Sequence, residues 1–356
     1  MLLIELAAAD SNLSHALRVH FRFTEGHWLK RNQPKNEAWL RKIVSGVVVA
    51  AGTSERAGEF GKPSTTLVKD GDDQFVTGQK FYSTGSLYAD YLSVLAKDEG
   101  GNLATVLMRT NGPGVEVIDD WPGFGQRFSG SGTTTFNNAP VERGDFVSSP
   151  SAGSGIHWAH VQLSHLATAS GIVRRATDEI TQFVLKRERT YRQASARVAS
   201  EDPLVQGVIG RADAAAYSAR AIVLQVATAM DEVVSARFAF NLLPESERTA
   251  ALKSELIENE NALGLDAYRA QTIVLDLALK ATSDIFEVGG ASAVDQGKHF
   301  DRHWRNVRTL ASHNPLIYRH RDLGEFCLSG KVPYNFAVDE NAPAKFGIHD
   351  DASLGV

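Results

Sequence analysis

The chain has 356 residues, 37 Lys plus Arg against 42 Asp plus Glu, and a net charge of −5. At this length roughly 75% of the unfolded surface can be buried without staples, and mild acidity argues against nucleic acid as a partner. The single cysteine, Cys327, excludes an intrachain disulfide; with no basic leader and no apolar run of about 18 residues, this points to the cytoplasm and no membrane span.

Residues 2–42 read as amphipathic helix, with a break at "RNQPKNEAW" (31–39). Residues 43–148 read as strands. "STTLVKDGDDQFVTGQKFYS" (64–83) is two β-rich runs around a turn, "YLSVLAKDEGGNLATVLMRT" (91–110) repeats the pattern, and "GVEVID" and "TTTFNN" follow. Six or more short strands with glycine-rich turns suggest a small barrel or sandwich.

From residue 155 the period becomes 3.6. Leu166, Ala169, Val173, Ala176, Ile180 and Phe183 keep one face. Asp202 and Pro203 open a second helix as cap and first residue. Its stripe is Leu204, Val208, Ala212, Ala215, Ala219, Val223, Val226, Met230 and Val233. A third helix is predicted from about Glu245 to Glu287, stopped by Gly289-Gly290. A fourth runs from about His303 to Leu328, strained or broken near Pro315. Long helices of this pattern build a four-helix bundle, and Cys327 reads as a small helix-packing residue. The divisions are 1–42 N-terminal helices, 43–150 β-barrel, 151–330 four-helix bundle and 331–356 tail.

Four clusters could carry chemistry. Arg302, Arg305 and Arg308 fall at i, i+3 and i+6, and "KRERTYRQ" (186–193) ends the first bundle helix. Arginine forks bind phosphate, but cations near helix C-termini also offset the dipole. "WPGFGQRFSGSGTTTF" (121–136) and "GTSERAGEFG" (52–61) read first as tight β-loops, although glycine also permits close approach to a ligand. In "KFYSTGS" (80–86), Tyr82, Ser83 and Thr84 should alternate across the sheet. Their hydroxyls can meet a heteroaromatic edge or satisfy local backbone. The histidines His20, His157, His160, His165, His299, His303 and His313 show no metal-ligand spacing, so no metal is expected. The residues alone support a protein with phosphate-binding potential.

The element order, with "ELAAADSNLSHALRVHF" (5–21), "GQKFYSTGSLYAD" (78–90), "GQRFSGSGTTTF" (125–136) and "HWRNVRTLASHNP" (303–315), resembles the acyl-CoA dehydrogenase superfamily and, within it, the flavin-dependent monooxygenase branch. The resemblance implies an α+β fold of N-terminal helices, central β-barrel and C-terminal four-helix bundle. The dehydrogenases follow an Arg-Asp pair, some eight residues later, with a Tyr-Glu-Gly-Thr run whose glutamate takes the α-proton. Here Arg305-Asn306 matches the pair and Asn314 falls on the glutamate, and an amide cannot be that base. "EVGGASAVDQGKHF" (287–300) departs from the adenylate-binding run of the FAD enzymes, which favours FMN over FAD.

The implied activity is two-component monooxygenation. A separate reductase supplies reduced FMN, oxygen adds to give a C4a-hydroperoxyflavin, and an apolar organosulfur, aromatic or amine substrate is oxygenated. By the same resemblance, Tyr82, Ser83 and Thr84 lie at the flavin edge near N5, Ser54 near the pyrimidine edge, and Ser131 and Thr133 beside flavin or substrate. Arg189 and Arg305 meet the phosphate. His313, His20 and Ser83 are the catalytic candidates, and a homotetramer is expected. The chain begins inside the family's "ELAAADSN" helix, so that either its start is misassigned or it lacks part of the wall over the pocket. The alternatives are an FAD-dependent acyl-CoA dehydrogenase with a relocated base, for which Glu255, Glu258 and Glu260 are candidates, and a non-catalytic flavin-fold protein.

Overall fold

The computed structural model describes residues 1–56, 62–142, 146–148, 155–188, 190–333 and 336. Four short helices come first: α1 (Leu2–Ala9), α2 (Ser11–Ala16), α3 (Arg18–Trp28) and α4 (Pro34–Val44). Eight strands follow: β1 (Val49–Gly52), β2 (Thr66–Asp70), β3 (Asp73–Lys80), β4 (Tyr91–Lys97), β5 (Leu103–Arg109), β6 (Val115–Ile118), β7 (Thr133–Pro140) and β8 (Phe146–Ser148). The remainder is helical: α5 (Gly155–Leu185), α6 (Pro203–Leu242), α7 (Ala250–Asp284), α8 (Phe286–Gly289), α9 (Asp301–Ala311) and α10 (Leu316–Ser329). No helix among the described residues is long and apolar enough to cross a membrane.

Contacts divide the chain into two compact units. The helical unit takes residues 1–18, the loop 123–128 and the helices from α5 onward. Its core is where the 3.6-residue stripes meet: Leu166, Ala169 and Val173 of α5, Ala219, Val223 and Val226 of α6, and Val274 and Ala278 of α7 are all buried in one cluster. The predicted cap is present, with the Asp202 carboxylate accepting from Leu204 N–H at 2.9 Å and Pro203 opening α6. Leu204 does not join the stripe; at 80% exposure it points away from the core in the first turn of α6. The third helix is shorter than predicted, because Thr249 caps it by accepting from Leu252 N–H. The fourth is broken as expected: α9 stops at Ala311 and Pro315 caps α10. Cys327 is exposed on α10, so it does not pack between helices.

The strand unit is a curled eight-stranded sheet of order β6-β7-β3-β2-β4-β5-β8, with β1 beside β4. The β2–β3 hairpin turns at Gly71 and Asp72, where Gly71 takes a φ of +60°. The β4–β5 hairpin pairs Tyr91 with Arg109 through Lys97 with Leu103. Leu92, Val94 and Ala96 alternate inward against Val106, Met108 and Phe136. On the other face Trp39 of α4 closes over Val49, Tyr91 and Leu107.

Candidate active site

In the strand unit the candidates converge where β3 ends. Alternation fails there: β3 stops at Lys80, and Tyr82 adopts a left-handed φ of +60°. A tyrosine in that region is uncommon, and it reverses the chain so that side chains no longer alternate across a sheet. Backbone bonds hold the reversal. Phe81 N–H donates to Ser54 O at 2.8 Å, Ser83 N–H to Gly132 O at 3.2 Å and Thr84 N–H to Tyr82 O at 2.8 Å. Ser54 thus meets this corner through its carbonyl. Gly132 is required, because a Cβ there would lie 2.4 Å from Ile118 O.

The reversal leaves Tyr82 half exposed, edge-on to Trp121 at 5.8 Å, and buries Ser83 and Thr84. Thr84 Oγ1 lies 3.0 Å from Ser131 Oγ, which lies 2.7 Å from Ser129 Oγ, making a buried run of three hydroxyls. Ser83 Oγ is buried without a hydrogen-bond partner. An orphaned hydroxyl of this kind costs about 1–3 kcal/mol and is the group a heteroaromatic edge would satisfy. Thr133 is committed elsewhere. Its hydroxyl and N–H both donate to the Asp120 carboxylate at 2.7 Å, which holds that carboxyl below its usual range.

His20, on α3, belongs to this unit. Its Nδ1 accepts from Val49 N–H at 3.3 Å, so the proton sits on Nε2, and burial lowers its pKa. An ion pair not foreseen from the sequence lies below β3: the Lys80 ammonium, fully buried, meets Glu55 at 2.6 Å. Burial pushes the Glu55 carboxyl up, but hydrogen bonds from Lys80, Ser64 and Thr65 outweigh it and hold the pKa at about 2.

In the helical unit His313 follows α9. Asn314 Nδ2 donates to His313 Nδ1 at 2.8 Å, which leaves the His313 proton on Nε2. The Asn314 carbonyl accepts from Gln271 at 3.0 Å. The ring centroid of His313 is 4.3 Å from that of His165 on α5, and His165 is 5.4 Å from His15 on α2. Removal from water is the largest cause depressing all three pKa values, with Arg18 adding positive charge, and His165 is brought to about 3; His15 and His165 are buried, whereas His313 keeps an exposed face. All three rings are therefore neutral near pH 7. His15 carried no sequence signal, because its ring neighbours, His165 on α5 and His313 in the turn after α9, are far away in sequence.

The arginine cluster faces a carboxylate of α5. Glu179 meets Arg302 at 2.5 Å, His303 at 2.9 Å and Arg175 at 2.6 Å. Burial pushes Glu179 up, but His303 and Arg302 bring it to about 2. Arg305 pairs with Asp301 at 3.0 Å and donates to Phe124 O at 3.0 Å. Asn306 uses both ends of its amide, accepting from Gln126 N–H at 2.7 Å and donating to Ser11 at 2.9 Å. Gly125 lets the loop touch α9, since a Cβ there would lie 2.1 Å from Arg305 O. Loop, α5 and α9 enclose a groove of about 1020 Å³ whose lining includes Arg127, Lys186, Lys298, Arg302 and Arg305. Arg308 bonds Ser312 instead and is not among the groove residues. Arg189 lies outside the described residues.

The relocated-base candidates of α7 divide. Glu255 and Glu258 are exposed, and Glu260 is buried with its Oε1 held by Arg237 at 2.6 Å. Among the described residues no cluster of His, Cys, Asp and Glu is arranged to hold a metal ion.

Comparison with known proteins agrees with this architecture. Residues 163–316 match the family "Acyl-CoA dehydrogenase, C-terminal domain". The probable FMNH2-dependent monooxygenase SfnC of Pseudomonas putida is 28% identical over 342 residues, covering 92% of this chain and 80% of its own. A dibenzothiophene monooxygenase of Rhodococcus qingshengii is 28% identical over 348 residues, covering 92% and 79%. FMN-bound TdsC from Paenibacillus sp. A11-2 superposes with a TM-score of 0.80 at 24% identity, over 93% of this chain and 83% of its own. Methanesulfinate monooxygenase MsuC of Pseudomonas fluorescens gives 0.78 at 24% identity, over 93% and 82%. Residues 163–316 thus carry an acyl-CoA dehydrogenase C-terminal domain, and nearly the whole chain has the fold of TdsC and MsuC.

Proposed function

We propose that the protein is an FMNH2-dependent monooxygenase. The observation that carries the reading is the pairing at the end of α9. Where a dehydrogenase of this family needs a carboxylate base, this chain has Asn314 fixing His313 as a neutral imidazole with Nε2–H. That group donates a hydrogen bond and cannot take an α-proton as a carboxylate would. The reading is supported by similar proteins that are named as monooxygenases of dibenzothiophene and of methanesulfinate and, for TdsC, crystallised with FMN and indole. The substrate class is an apolar organosulfur or aromatic molecule.

Reduced FMN, when bound, supplies two electrons and two protons to O2, so that one oxygen enters the substrate and the other leaves as water. The protein's own groups do the rest. Ser83, Thr84 and Ser131, with the Ser54 carbonyl corner, hold the polar edge of the ring. Tyr82 covers it, and Thr133 is positioned by Asp120. Arg305 meets the phosphate. His313 presents an Nε2–H donor to the oxygen being transferred, and His20 is the second candidate donor. Both rings are held below their ordinary pKa and are neutral near pH 7. A separate reductase, a homotetrameric assembly and a cytoplasmic setting belong to this reading.

The test is rapid mixing of anaerobic protein and reduced FMN with oxygen. An absorbance transient distinct from reduced and oxidised FMN, outliving the oxidation of flavin alone, supports the oxygenase. Oxidation at the rate of unbound FMN, together with bleaching of bound FAD by an acyl-CoA, would make it a dehydrogenase.

A further inference from the structure

Gln271 lies on α7 at 2% exposure, among Ala267, Ala270, Val274 and Leu275, all of them buried. An apolar side chain would fill that place without taking an amide out of water, so both ends of Gln271 must be met for the residue to be tolerated there. Its Oε1 accepts from Arg319 Nε–H at 3.3 Å, and its Nε2–H donates to the main-chain carbonyl of Asn314 at 3.0 Å. The partners fix which end is which: a guanidinium only donates and a carbonyl only accepts, so the amide has one orientation. Arg319, itself 7% exposed, is held in turn. Its guanidinium carbon lies 3.9 Å from the Tyr268 ring centroid, and its Nη1 donates to Asp322 at 3.3 Å.

The carbonyl that Gln271 holds belongs to the turn between α9 and α10, which carries His313. Burial does not hold this turn, because Ser312, His313 and Pro315 are exposed, and Pro315 has no N–H to give. Asn314 meets α7 through its carbonyl and His313 Nδ1 through its side-chain amide, the latter at 2.8 Å. Two bonds of one residue thus join α7 to the imidazole. We propose that Gln271 is the positioning residue of His313, holding the Asn314 main chain so that the Asn314 amide keeps the imidazole in its Nε2–H form. This rests on the reading of His313 as the donor in oxygen transfer. Without the bond from Gln271, rotation of the turn would carry the Asn314 amide off the ring. Arg319, Tyr268 and Asp322 act one step further back, by fixing the direction in which the Gln271 amide points.

Two variants test this. Gln271→Met keeps the volume and loses both bonds. Gln271→Glu keeps the shape and the bond from Arg319 and loses only the donor to Asn314, since a carboxylate beside an arginine stays ionised and has no N–H. If Gln271 served only to hold Arg319, glutamate would serve as well. The full chain labelled with 15N-histidine is read by long-range 1H–15N correlation, which distinguishes protonated from bare ring nitrogens without any flavin. Wild-type His313 should show protonated Nε2 and bare Nδ1, and both variants should lose that single form. A wild-type His313 spectrum in Gln271→Glu overturns the proposal, even if Gln271→Met fails to fold. So does a protonated Nδ1 on His313 in the wild type, which needs no variant. With reduced FMN, oxygen and substrate, both variants should lower kcat for product about tenfold, the weight of one ordinary hydrogen bond, with KM unchanged and peroxide released instead. A raised KM with kcat intact would make Gln271 part of the substrate pocket and overturns the proposal too. If His313→Ala leaves coupling intact, the oxygen-transfer reading fails, while the spectra alone still decide whether Gln271 sets the form of His313.

Discussion

Lys80 and Glu55 form a 2.6 Å ion pair in which the ammonium has no solvent exposure. The pair ties β3, just before the chain reverses at Tyr82, to the segment after β1. Removing the carboxylate would strand a buried charge, so Glu55→Gln should cost about 3–5 kcal/mol of stability, read by urea unfolding. The pair also sets an acid limit. Because Glu55 is held at about 2, below its ordinary 4.5, its contribution is complete above pH 4.5 and is lost as the pH falls through about 2.

The histidine cluster predicts a second, milder acid effect with its own window. His15, His165 and His313 are neutral in the folded chain and protonate near pH 6.5 when unfolded. The unfolded state then binds more protons, so stability falls as pH drops below 6.5 and keeps falling toward about 3, the value His165 reaches. Thermal midpoints between pH 7 and pH 4 should slope downward, and His165→Leu should flatten that slope by removing one of the three. An unchanged slope in that variant would mean that His165 does not stay neutral.

What was legible in the sequence followed from periodicity and from caps. The long stripes of α5 and α6, the Asp202–Pro203 start, the two hairpins and the break at Pro315 each depend on residues within a few positions of one another. The site was legible only as a set of motifs. That Tyr82 leaves the strand follows from its backbone being tied to Ser54 and Gly132, which no local pattern announces. That Arg302 of α9 faces Glu179 depends on a contact 123 residues away in sequence. The arginines of α9 suggested an external anion; for Arg302 the structure supplies one from α5.

Arg305 differs from Arg302 in this respect. It holds Asp301 and a carbonyl, at the rim of a cationic groove, and remains partly exposed. A phosphate would strengthen an arginine already oriented. Arg305→Ala should therefore weaken FMN by about 1.5–3 kcal/mol, roughly tenfold to a hundredfold in Kd, followed by FMN fluorescence quenching. The variant also loses the bond to Phe124 O, so Arg305→Lys is the control. It keeps the charge and loses the fork, and should recover only part of the affinity if the phosphate is held in bidentate fashion. Equal affinity in all three would remove Arg305 from the phosphate site.

His313→Ala separates binding from chemistry. The residue lies in the histidine cluster and Arg305 in the groove, and their hydrogen-bond partners do not overlap. FMN affinity should therefore be unchanged. A neutral Nε2–H aimed at the oxygen being transferred contributes a charge-assisted bond only as negative charge develops there, so its removal acts on the transition state more than on binding. Flavin should still be oxidised, but the oxygen should appear as peroxide rather than product, with coupling lowered by about a hundredfold if the bond is worth nearly 3 kcal/mol. His313→Gln, which keeps an N–H donor without an imidazole, should retain part of the coupling. Full coupling in the alanine variant would assign the donor to His20 instead, and His20→Ala would then show the loss.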